Sequence, residues 1–151
     1  MKTCLCTASQ IHRYRTRISG PLLDRIDLHL EVPAVSVPEL IQEGQWESSE
    51  TIRDRVRKAR AYQRERFKEE SGIFSNAQMR HRHLKRWCSI TPEIKELLKK
   101  AIQTLGLSAR AYDKILKVSR TIADLAGSEE IQPEHLAEAI QYRALDRSTW
   151  V

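Results

Sequence analysis

The chain has 151 residues, 40% hydrophobic and 30% charged, with 26 Lys and Arg against 20 Asp and Glu. That length and balance fit one folded domain with a modest core and exclude a disordered tail, while the net charge of +6 permits nucleic acid as a partner without demanding it. Three cysteines make no disulfide framework and fit a reducing, cytoplasmic setting; the polar, basic start is no signal peptide, and no apolar run approaches the roughly 20 residues that span a bilayer.

Residues 1–20 are polar and basic around Ile11 and Ile18, and Ser19-Gly20-Pro21 then punctuates the chain. Leu22 to Arg25 fits a helical turn. Residues 26–32, Ile-Asp-Leu-His-Leu-Glu-Val, alternate with period two and predict a half-buried strand that Pro33 closes. Residues 34–48 read as a linker.

From Ser49 the period becomes helical, with Ile52, Val56, Ala59, Gln63 and Phe67 on one face, Ser48 or Ser49 as the cap and an end near Glu70, before Gly72. A short helix fits residues 76–84. Thr91-Pro92-Glu93 opens the next helix: Thr91 accepts from exposed amides, and Pro92 sits where its missing N–H costs nothing. Ile94, Leu97, Leu98, Ala101 and Leu105 form its inward face, and Gly106 stops it. Ser108 caps a helix over 109–126 with two adjacent apolar rows, the pattern of a central helix with neighbours on both sides. Gly127 ends it, and Pro133 opens a last helix. The chain therefore divides into residues 1–33, with one strand and no partner for it, and residues 49–147, a small helical bundle, with 148–151 as a tail. A lone strand has bare ladder edges, which points to a longer natural protein.

No Gly-rich phosphate loop is present, since the five glycines are scattered singly, and no His-Glu-x-x-His zinc pair occurs. Asp24 and Asp27, three apart, read as the end of a turn and the start of a strand, with metal binding as the alternative. Arg25 lies between turn and strand, where its guanidinium can clamp a phosphate bidentately or simply pair with a carboxylate. Arg110 opens the 109–126 helix. A cation there is opposed by the helix dipole, but that end also attracts anions, so Arg110 either serves a phosphate or is solvated.

Three long stretches carry a resemblance: residues 14–28, with Gly-Pro-Leu-Leu-Asp-Arg-Ile-Asp at 20–27; residues 107–125, opening Leu-Ser-Ala-Arg-Ala-Tyr; and residues 135–143. Together they resemble the magnesium-chelatase-like branch of the AAA+ ATPases, and within it the bacterial ComM/YifB family, over about residues 4–147. The resemblance implies a mainly α chain: residues 1–33 as the end of an α/β ATPase core containing one strand, then a helical lid. The phosphate loop, magnesium motif and polar sensor would lie upstream, and Met1 is read as an artificial start. Arg25 matches the family's arginine finger, which acts on the γ-phosphate held by the neighbouring subunit. Arg110 matches the second sensor, which touches the phosphates in its own subunit. The resemblance implies ATP and magnesium as cofactors of the full-length protein, none bound tightly by this chain alone. It also implies a homo-hexamer and a DNA motor promoting branch migration in recombination and natural transformation, with this chain inactive by itself and monomeric or weakly dimeric. Cys4 and Cys6 would be half of a four-thiolate zinc site completed upstream. A metal-insertion ATPase, as in magnesium chelatase, and a stand-alone helical DNA-binding or adaptor domain are the competing readings.

Basic residues recur through 53–68. Arg53, Arg57, Arg60 and Arg64 share a helix face, which suits backbone phosphates of DNA or a subunit contact; the competing reading is a solvated face paired with nearby acids. Arg15 and Arg17 are candidates for the same contacts, with packing and ion pairing as alternatives. Trp87 is expected to anchor the segment before Thr91 in the core, and Trp46 to cover the linker.

Overall fold

The computed structural model describes residues 5–35, Ile41 and residues 46–143. Among these the chain is helical: α1 (Ala8–Arg15), α2 (Gly20–Leu23), α3 (Ser49–Arg66), a 3-10 turn (Asn76–Gln78), α4 (His81–Trp87), α5 (Pro92–Leu105), α6 (Ala109–Ala126) and α7 (Pro133–Gln141). The long helices start where capping side chains satisfy free amides. Ser48 accepts from Thr51, Thr91 from Ile94 and Ser108 from Ala111. α5 and α6 stop at Gly106 and Gly127, whose φ values of 57° and 71° lie in the left-handed region that glycine enters without strain.

α6 is the central element, packed against α3, α4, α7 and the 3-10 turn. Ala111, Ile115, Leu116 and Ala123 are buried on it; around them close Phe67, Met79, Leu84, Ile94, Leu98 and Leu136. Trp87 packs against this cluster edge-on to Phe67, with ring centroids 6.4 Å apart, as its position before Thr91 requires. Trp46 is exposed, and most of the linker it is expected to cover lies outside the described residues. α3 ends at Arg66, short of the expected end near Glu70, with Phe67 turned into the core; Ala59 and Gln63 are buried beside it, whereas Ile52 and Val56 stay exposed at the N-terminal end.

The expected strand over residues 26–32 does not form, and among the described residues there is no strand at all. The α/β remnant inferred for residues 1–33 is thus corrected to two short helices followed by an irregular, extended segment. Alternation favours an extended backbone, but a strand needs a neighbour to complete its ladder. Here the segment is tied to a helix end instead: the His29 N–H donates to the Tyr142 carbonyl at 2.8 Å. The alternation is also inverted relative to the expectation, with His29 buried while Ile26, Leu28 and Leu30 face outward.

A buried ionic cluster joins α3 to α6. The Asp124 carboxylate, inaccessible to solvent, accepts from Arg66 at 2.7 and 2.5 Å, Asn76 at 2.8 Å and Arg120 at 3.1 Å. Arg120 also donates to the Glu129 and Ser128 carbonyls, fixing the turn after α6. Every lone pair facing the interior is thereby used, the condition under which a buried charge is tolerated.

Candidate functional site

α2 is a four-residue turn started by Ser19, whose hydroxyl accepts from the Leu22 N–H at 3.3 Å. It ends at Asp24, so the reading of Asp24 as a turn terminus holds, while Asp27 begins no strand. Arg25 follows with its side chain exposed, donating to the Pro21 carbonyl at 3.1 Å. Arg110 lies in the first turn of α6, also exposed, within 3.6 Å of the Asp24 carboxylate. Residues far apart in sequence thus meet at one place: the turn that carries Arg25 sits against the N-terminal end of the helix that carries Arg110.

Four side chains hold that turn, and the sequence assigns this contact to none of them, marking Ser108 only as the cap of α6. Ser108, the cap of α6, donates its hydroxyl to Asp24 at 2.7 Å. Arg143, buried two residues past α7, lies 3.8 Å from Asp24 and donates to the Ile26 carbonyl. Lys114, one turn along α6 from Arg110, donates to the Arg25 carbonyl and pairs with Asp27 at 2.5 Å. His29, buried, places its Nε2 3.2 Å from the Leu23 carbonyl. The only available sequence signal was the matching of Asp24 and Asp27, three apart, to Arg110 and Lys114, four apart on a helix face.

The Ser108 hydroxyl is the main cause holding the Asp24 carboxyl below its usual value; burial pulls the other way, and the Arg143 and Arg110 guanidinium groups reinforce the lowering. Asp24 therefore stays ionised and keeps the turn docked. A cleft of about 390 Å³ opens beside it, between Thr16–Asp24 and the Leu105–Ser108 turn.

The other sequence-derived candidates lie elsewhere. Arg15 and Arg17 belong to or follow α1, with Arg17 over the Tyr14 ring at 5.8 Å. Arg53, Arg57, Arg60 and Arg64 are all exposed; Arg57 is 3.6 Å from Asp54, and the other three have no ion pair among the described residues. Their face flanks the buried Ala59 and Gln63. Cys4 lies outside the described residues, Cys6 is exposed, and among the described residues no group of three His, Cys, Asp or Glu side chains could hold a metal ion. Nor is any helix of the described residues long and apolar enough to cross a membrane.

Two family models match consecutive parts of the chain. Residues 46–143 match the model described as magnesium chelatase, subunit ChlI C-terminal, and residues 1–40 match magnesium chelatase, subunit ChlI. The helical bundle and its docked arginine turn are thus a domain of a magnesium-chelatase-type AAA+ ATPase. The chain belongs to the magnesium chelatase ChlI C-terminal family, and within it resembles the ComM/YifB proteins. It is 46% identical to Competence protein ComM of Haemophilus influenzae over 91% of its own length and 26% of that protein's. It is 41% identical to proteins named YifB, uncharacterized, from Salmonella typhimurium and Escherichia coli, over 94% of its own length and 27% of theirs. The chain therefore spans about a quarter of the length of the curated relatives it matches.

Proposed function

We propose that this chain is the helical lid, with its arginine-bearing turn, of a cytoplasmic ATP- and magnesium-dependent AAA+ ATPase that works as a ring of identical subunits. Arg110 contacts the phosphates of the nucleotide in its own subunit, and Arg25 supplies charge to the γ-phosphate in the neighbouring one. The observation that carries the reading is that Arg110 and Arg25 are both exposed, and that the turn carrying Arg25 is docked on the N-terminal part of the helix carrying Arg110. Exposed guanidinium groups fit phosphate contacts, and family membership supports the use of ATP and magnesium by the whole ATPase. Bound ATP-magnesium supplies the transferable phosphoryl group; this chain's arginines offset the charge that develops on it. Without the rest of the ATPase the chain does not turn over ATP.

The test is ATP hydrolysis by the complete ATPase. Arg25→Ala should lower kcat by at least about a hundredfold, as expected for loss of an arginine acting in trans, while leaving nucleotide binding intact. Arg110→Ala should weaken nucleotide binding. Full activity in both variants would refute the assignment.

What the ATPase drives is a separate question. Both family descriptions name magnesium chelatase, which supports metal insertion as the use of the motor. The second reading is a hexameric motor for branch migration of DNA in recombination and natural transformation. The face of Arg53, Arg60 and Arg64 is exposed and unneutralised among the described residues, and a relative bears the name competence protein. Stimulation of ATP hydrolysis by branched DNA, lost in Arg53→Ala/Arg60→Ala/Arg64→Ala and falling with salt, would support the DNA motor. Indifference to DNA would leave metal insertion.

A further inference from the structure

We propose that Lys114 is a positioning residue for Arg25: from the central helix it grips the backbone of the arginine that acts on the neighbouring subunit's nucleotide, and so sets where that guanidinium stands. The inference rests on the reading of Arg25 given above.

A four-residue helix has no stability of its own, because its nucleation cost is not recovered over so short a run. The position of Arg25 is therefore set by what holds the turn. Ser108 and Arg143 act on its neighbours, Asp24 and Ile26. Lys114 alone among these reaches Arg25 itself, donating to its carbonyl oxygen while its charge is matched by Asp27 at 2.5 Å. The Lys114 side chain is only 17% exposed, so it is held in one arrangement and not waving in solvent. Arg110 lies one turn before Lys114 on α6. One face of one helix thus carries the group proposed to sense the subunit's own nucleotide and the group that aims the arginine at its neighbour's. A shift of α6 in response to the first reaches the backbone of the second through Lys114, beside the Ser108 and Arg110 contacts to the neighbouring Asp24.

Lys114→Met keeps the aliphatic stem and removes the ammonium. Asp27 is 59% exposed, so the carboxylate left behind is solvated and the variant folds. In the complete ATPase we expect kcat to fall between about tenfold and about a hundredfold, the size of effect that ångström-scale misplacement of a reacting group produces, with KM for ATP unchanged. Lys114→Arg, which restores a donor and a charge, should recover most of the loss. Lys114→Met added to Arg25→Ala should lower kcat no further than Arg25→Ala does alone, because both remove one device. Wild-type kcat in Lys114→Met, or a further loss on top of Arg25→Ala, overturns the proposal. A general structural role would instead move KM and thermal stability together, which also overturns it. Full activity of Arg25→Ala would overturn it by a different route, by removing the reading on which it rests.

Discussion

The Asp124 cluster permits a quantitative prediction on the chain itself. Asp124→Asn conserves volume but removes the anion between two guanidinium groups whose side chains are 12% and 4% exposed, those of Arg66 and Arg120. Burial already pulls the Arg120 guanidinium below its ordinary value, and the neighbouring Asp124 charge is the largest influence opposing that. Without it, two cations face one another in the interior, and Asn76 loses an acceptor. Removing one partner of a buried pair costs about 3–5 kcal/mol. For a bundle of this size that lowers the melting temperature by on the order of 15–30 °C. Urea unfolding followed by far-ultraviolet circular dichroism measures the loss directly. A loss below about 1 kcal/mol would refute the reasoning, since it would mean that water or another side chain replaces the carboxylate without cost. Replacing Arg66 and Asp124 together by apolar residues should cost less than the sum of the single changes, because no charge is then stranded.

Asp24 supplies a pH prediction. Its folded pKa lies below the ordinary 3.8, so its contribution to docking the turn is complete above 3.8 and is lost as pH falls through the folded value. Carboxyl titration by NMR should show that value rise in Ser108→Ala, because the hydroxyl is the main stabiliser of the charged form; an unchanged value would contradict the assignment. Burial pushes the Cys88 thiol up to about 12, so Cys88 should resist alkylation at pH 8 in the folded chain and react once urea unfolds it, as mass spectrometry of the labelled peptide would reveal.

The helices whose ends carry their own chemistry were legible from sequence. Thr91-Pro92, Gly106, Ser108 and Gly127 mark the limits of α5 and α6 through local hydrogen bonds and backbone conformation, and α6 is central as its two apolar rows implied. α1 was not foreseen, because it buries nothing and is set by a capping box between Thr7 and Gln10 with no apolar period behind it. Nothing local in the sequence marks Arg66 and Asp124 as partners; their pairing depends on helices meeting across 58 residues of chain. Their positions make Arg25 and Arg110 candidates for phosphate contacts, but their separate roles come only through the family resemblance, and their juxtaposition is not a local property of the sequence. It is produced by Asp24 meeting Ser108 across 84 residues, and no local pattern encodes a contact of that span. The strand failed for the same reason in reverse: alternation is local, but a ladder partner is not.

The docking of the arginine turn bears on how this family is dissected. The two family matches meet between residues 40 and 46, which invites truncation there to obtain the helical part alone. Such a cut would discard Asp24, Ile26 and His29, leaving Arg143 buried without the carbonyl it donates to and the α7 end without the amide that caps Tyr142. The seam visible in sequence is not a seam in the packing. A truncated helical part would therefore report the behaviour of an opened surface and not that of the native lid.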